Sequence, residues 1–207
     1  TDAEPTVGVT MGDPAGIGPE VIVKAYRQLL EFGRPIVVGD ADVLAEAAAV
    51  CDIDLAIDRV ETVNDAQFSP DAIPVLDLDN VETLAPGEVR KEYGAASLEY
   101  VERAIELAQG GEIDGITTAP INKQATKLAG STYAGNTGLL ADRTDTTEYA
   151  MMLIESDLRV THVSTHVPLR EACEQITMSS VLSTIRLTAD ALSNLGVEDP
   201  TVGVAGL

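Results

Sequence analysis

The sequence predicts an α/β fold built on a largely parallel sheet, and three observations carry that expectation. β-rich runs alternate with helical patterns along most of the chain. The connection after the first run is a glycine-rich loop that opens a helix, as a strand-to-helix crossover requires. The chain has 207 residues, is 45% apolar and has a mean hydropathy of +0.10, enough for one large domain or one domain plus part of a second.

The elements follow in order. Thr6–Met11 reads as a strand, Gly12–Gly18 as a loop, and Pro19 to about Phe32 as a helix. Pro35–Val38 is a short apolar run ending at Gly39-Asp40, and Ala41–Val50 reads as a second helix. Ile53–Ile57 and Ile73–Leu78 are extended segments, and Asp79–Tyr93 reads as a linker or exposed loop. Gly94–Gln109 is an amphipathic helix with Leu98, Val101, Ile105 and Ala108 on one stripe, closed by Gly110-Gly111. Ile113–Thr118 is the next strand, and helical patterns cover Lys123–Ala129 and Thr146–Ile154. Leu158–Ser164 is a strand, Met178–Leu195 a helix and Thr201–Ala205 a last β-rich run.

Thirty-four acidic against thirteen basic residues give a net charge of −21 and a pI near 4.2. Nucleic acid and anionic membranes are recognised through clustered Lys and Arg, so neither is an expected partner. The apolar content argues against disorder, and the acids are spread along the chain as a solvated surface suited to a high-salt cytoplasm. A gain of stability in molar salt is the test of that reading. No apolar run is long enough to span a membrane and no secretory leader is recognisable, so a cytoplasmic protein is expected. Cys51 and Cys173 form no CxxC pair and read as reduced thiols. The chain begins at Thr1 without Met and stops at Gly206-Leu207, where a ligand-bearing loop should begin. A missing C-terminal portion is expected from that ending.

Four segments concentrate chemistry. Thr10–Glu20 (TMGDPAGIGPE) combines glycines that admit close backbone approach, free N–H groups at a helix start and the Asp13 carboxylate. Its spacing matches neither GxGxxG nor the Walker A loop. Thr117–Lys123 (TTAPINK) adds strand-end hydroxyls, an amide and a lysine suited to a phosphate or carboxylate. Gly135-Asn136-Thr137-Gly138 exposes two short polar side chains between glycines. Each of these three is open to a structural reading as a turn. His162 and His166 are the only histidines. On one strand they would lie about 13 Å apart, too far to share a metal ion. His166, before the turn at Pro168, is the ligand candidate, and His162 is expected to be packed or hydrogen-bonded in the sheet.

TMGDPAGIGPE, TTAPINK, YAGNTGLLAD, MMLIESDLRV and STHVPLREACEQIT resemble, in order and spacing, the motifs of the 4-hydroxythreonine-4-phosphate dehydrogenase family of pyridoxal phosphate synthesis. The first is also similar to the GDGIGPE of isopropylmalate-type decarboxylating dehydrogenases. The resemblance runs from about Thr6 to Leu207. It implies an α/β/α sandwich of the isopropylmalate-dehydrogenase-like type, with two subdomains and a cleft between them. A subdomain boundary is expected within 79–135. It further implies a homodimer, NAD or NADP as hydride acceptor, and a divalent metal (Zn, Mg or Co). The implied substrate is 4-phosphohydroxy-L-threonine or a related phosphorylated hydroxy acid, whose keto acid product decarboxylates. His166 maps to a metal ligand, and Asn136 and Thr137 to the substrate loop. The catalytic acid–base groups are not identified.

Two departures bear on this. The family loop reads Gly-His-Thr-Glu where this chain has Gly135-Asn136-Thr137-Gly138, and Asn136 cannot carry charge or shuttle a proton. The family also continues past Leu207 into a segment with further metal histidines and much of the NAD site, so the chain by itself is expected to be inactive. A phosphate-handling acyltransferase on a similar body and a non-catalytic binding module are the alternatives.

Overall fold

A computed structural model describes residues 4–133 and 135–206. Thr1 and Leu207, and Ala134 within YAGNTGLLAD, lie outside the described residues. The chain divides into two compact units, Thr1–Thr144 and Asp145–Leu207.

In the first unit the elements run β1 (Thr6–Thr10), α1 (Gly18–Leu29), β2 (Arg34–Gly39), α2 (Ala41–Val50), β3 (Ala56–Val60), β4 (Ala72–Asp77), α3 (Lys91–Gln109), β5 (Gly115–Thr118), α4 (Lys123–Leu128) and α5 (Asn136–Arg143). The five strands form one parallel sheet in the order β3-β4-β2-β1-β5. In its register Val9 lies opposite Val37 on one side and Thr117 on the other. Both faces are covered, so the strands read as near-continuous apolar runs: Ile36, Val37, Val38, Ile73 and Val75 are all fully buried. The path leads outward through β2, then returns past β1 to β5. Right-handed crossovers therefore place α1 and α2 on one face and α3 on the other.

Local chemistry explains the helix boundaries. Asp40, at the end of β2, accepts from the Asp42 and Val43 N–H groups and starts α2. Asn122 starts α4 in the same way. α3 is buried on two sides. Tyr100, Ala104 and Leu107 join the core under the sheet, while Val101 and Ile105 form a second cluster with Leu139 of α5.

The second unit holds an antiparallel hairpin, β6 (Met152–Glu155) with β7 (Leu158–Thr161), then α6 (Leu169–Gln175) and α7 (Met178–Asn194). Thr177 caps α7 through the Ser180 N–H. Ser156, in the two-residue turn of the hairpin, takes a positive φ of 51°.

Several sequence expectations are corrected. The helix predicted over Thr146–Ile154 is absent. Residues 146–151 are in neither helix nor strand, and Met152–Glu155 pair with the segment that follows. The strand predicted to reach Ser164 ends at Thr161, although the His162 N–H still donates to the Met151 carbonyl. Residues 201–205 form no strand. The loop read at 135–138 begins a helix instead, because Leu139 docks on Val101 and Ile105 and holds the turn helical. β3 begins at Ala56, shifted from the predicted Ile53–Ile57.

Candidate functional site

The carboxyl edge of the sheet, where β1 meets β5, is the topological switch point of the first unit. In open α/β sheets, ligands bind in the crevice at such a point. Two of the flagged segments, the loop after β1 and the loop after β5, meet there and interlock. Gly12 has φ 74°, and a side chain on it would collide with the Pro120 carbonyl. Only glycine tolerates both that conformation and that approach. The next residue donates the Asp13 N–H to the Pro120 carbonyl at 3.0 Å.

Asp13 is the hub. Its side chain is 5% exposed and accepts from the Ala15 N–H at 3.0 Å. Burial pushes its carboxyl above the usual value of 3.8, opposed by the Ala15 N–H and by the Asn122 side chain. The Asn122 amide oxygen caps α4, accepting from the Gln124 and Ala125 N–H groups. Lys123, the first residue of α4, follows the cap and is exposed. Its Cε lies 4.0 Å from where a Cβ on Gly135 would stand.

A second layer supports this edge. Asp40 accepts from the Val81 N–H at 3.2 Å, and the Tyr100 hydroxyl donates to Asn80 at 2.9 Å. The Tyr93 hydroxyl donates to the Thr83 carbonyl and accepts from the Ala85 N–H. These bonds pin the stretch that the sequence read as linker or exposed loop. Burial, together with the carboxylates of Asp40, Glu99, Asp77 and Asp13, holds the Tyr100 phenol far above its ordinary range. Tyr100 therefore stays neutral.

Asn136 and Thr137 form the first turn of α5. Thr137 is exposed. The Asn136 Oδ1 is shut off from solvent and has no hydrogen-bond partner among the described residues. His166 belongs to the second unit, exposed in the loop between β7 and α6 with φ 57°. It lies past the end of its strand and not at the strand terminus. His162 is half-buried just after β7, and its Nδ1 is buried without a partner instead of hydrogen-bonded in the sheet. Asn136 and Thr137 are thus in one unit and His166 in the other. Among the described residues no group of three or more His, Cys, Asp or Glu side chains could hold a metal ion. His166 alone does not make a coordination set. Cys51 and Cys173 are free thiols, and among the described residues no helix is long and apolar enough to cross a membrane.

The sequence flagged both loops but not their joining through the Asp13 N–H and the Pro120 carbonyl. The cap of α4 was legible, because Asn122 stands directly before a helical pattern.

Comparison with known proteins places these features in one group. Residues 31–207 match the family model described as pyridoxal phosphate biosynthetic protein PdxA. A protein of Oceanobacillus iheyensis, provisionally named D-threonate 4-phosphate dehydrogenase, is 43% identical over 99% of this chain and 63% of its own length. The chain therefore spans less than two thirds of that relative. A solved 4-hydroxythreonine-4-phosphate dehydrogenase from Burkholderia phymatum matches with TM-score 0.86 and 38% identity, over 96% of this chain and 61% of that one. The enzyme of the same name from Klebsiella pneumoniae matches with TM-score 0.86 and 37% identity, over 97% and 62%. With a family model covering most of its length and a parallel α/β body matching solved members, the chain belongs to the PdxA family of pyridoxal phosphate biosynthetic proteins.

Proposed function

We propose that this chain works in the NAD- or NADP-dependent oxidation of a phosphorylated hydroxy acid to a keto acid that decarboxylates. Its substrate is 4-hydroxythreonine-4-phosphate or D-threonate 4-phosphate. The observation that carries the reading is the match of nearly the whole chain to two solved dehydrogenases of that name. When bound, the nicotinamide accepts hydride and a divalent cation (Zn, Mg or Co) acidifies the alcohol.

This chain's own residues bind and orient. Asn136 and Thr137 take the substrate at the first turn of α5, the one through an amide oxygen that lacks a partner and the other through an exposed hydroxyl. The interlocked loops hold the crevice floor rigid. His166 is one ligand of the cation. The described residues do not supply a full set, so no step is assigned to it beyond binding. The working protein is a cytoplasmic homodimer. A non-catalytic binding module is the second reading, favoured by Asn136 and Gly138, neither of which can exchange a proton at neutral pH.

Formation of NADH by the purified full-length protein, with each of the two phosphorylated acids and with Zn, Mg or Co, tests the proposal. Activity lost to a chelator and restored by metal is expected. No NAD or NADP reduction under any of these conditions would sink it, and binding without turnover would establish the module.

A further inference from the structure

Residues 79–90 follow β4 in neither helix nor strand, yet they are tied down along their length. Val81 and Leu84 pack against the core of the first unit. The Val81 N–H donates to the Asp40 carboxylate just past β2, and the Tyr100 hydroxyl donates to Asn80 at 2.9 Å. The hydroxyl of the buried Tyr93 donates to the Thr83 carbonyl at 2.9 Å and accepts from the Ala85 N–H at 2.8 Å. Two residues further on, the Gly87 N–H donates to the Ala15 carbonyl at 2.8 Å, inside the glycine-rich loop that follows β1. Since β4, β2 and β1 are consecutive in the sheet, this stretch is a strap across its carboxyl edge. It reaches the loop after β1 and leaves the β1–β5 crevice open.

Ala15 joins the strap to the crevice. Its carbonyl accepts from Gly87, and its N–H donates to the buried Asp13 carboxylate. Without the Tyr93 hydroxyl the strap would keep its ties at Asn80 and Val81 only, and Gly87 would no longer steady Ala15. The loop from Gly12 would then have to be ordered when a ligand binds, which weakens affinity.

On the premise that the substrate of the function proposed above occupies the β1–β5 crevice, we propose that the strap presets the loop between β1 and α1 for ligand binding, with Tyr93 as its positioning residue. The hydroxyl acts on the crevice through Ala85, Gly87 and Ala15 without meeting the ligand. Hydride transfer uses groups outside this path, so the effect falls on substrate affinity and not on turnover.

Tyr93→Phe in the full-length protein tests this with two measurements. Kinetics with D-threonate 4-phosphate should show KM raised about fivefold with kcat within about twofold of native, because the loop is ordered at the expense of binding. Carbon NMR of the Asp13 carboxyl, assigned by its loss in Asp13→Asn, should show the titration midpoint moved upward, because a loosened Ala15 N–H favours the carboxylate less. The carboxylates that act with Asp13 on the Tyr100 phenol are Asp40, Asp77 and Glu99, and the substitution alters none of them. Leu107→Ala is the control: it removes a fully buried side chain near the other end of α3, leaves the strap in place and should move neither measurement. KM within twofold of native in Tyr93→Phe, or an unmoved Asp13 midpoint, overturns the strap assignment and leaves the dehydrogenase reading standing. Equal changes in Leu107→Ala do the same. A native protein that reduces neither NAD nor NADP overturns the proposed function, and the Asp13 midpoint in Tyr93→Phe then decides the strap by itself.

Discussion

The two units of the chain are stabilised differently. The first surrounds a parallel sheet with helices and buries Tyr26, Tyr93 and Tyr100 along with most of its aliphatic side chains. In the second, only Thr188 and Leu192 are buried among the described residues, while Leu169 is 80% and Met178 89% exposed. An isolated two-stranded hairpin is marginal in water, and two helices with apolar residues in solvent add little to it. The first unit is therefore a core with loops attached. The second is held by backbone ladders and helix caps, and its apolar side chains contribute little in the chain by itself.

Substitutions can break this contrast. The largest effect is expected at Gly94, where α3 packs so closely on α4 that any Cβ would strike the Ala125 carbonyl. Gly94→Val should cost about 3 kcal/mol in urea unfolding, with the first unit responsible. A paired test comes next. Leu44 is fully buried, so Leu44→Ala should cost about 3 kcal/mol. Leu169→Ala, in the second unit, should change stability by less than about 0.5 kcal/mol. Similar losses at the two leucines would refute the contrast.

Smaller effects sharpen it. Removing the α7 cap with Thr177→Ala should cost about 1 kcal/mol, read as faster amide exchange in the first turn of that helix only. Asp13 tests the electrostatics of the first unit. Its folded-state carboxyl titrates above the ordinary 3.8, so the native state holds this proton more tightly than the unfolded one. The stability this contributes is full below pH 3.8 and is lost as pH rises through the folded value. Asp13→Asn, which keeps the acceptor for the Ala15 N–H, should flatten that part of the stability profile, by less than about 1 kcal/mol. An unaltered profile would mean that Asp13 is not the titrating group.

The same contrast explains what was legible in the sequence. Helix Ala41–Val50 was read to the residue because Gly39-Asp40 ends a buried apolar run and supplies the cap. β1 and β2 were legible for the same reason, since strands covered on both faces must be apolar throughout. The hairpin was not. Its turn, Ser156-Asp157, lacks the Asn-Gly or Asp-Gly signature, and the preceding apolar spacing also fits a helix. α5 was missed because Gly135 and Gly138 read as a turn, and only the docking of Leu139 on α3 decides otherwise. Asn136 and Thr137 were singled out through the family resemblance, because by residue type alone the segment reads as a turn. The bond from the Asp13 N–H to the Pro120 carbonyl joins positions far apart along the chain, and no local pattern reports it.

That bond has a further consequence. It uses backbone atoms on both sides, so an exchange of the side chain at position 13 leaves the joint in place, whereas any Cβ at position 12 drives the Pro120 carbonyl away. The two loops have one shared tolerance, and variation in the first is limited by what the second can follow.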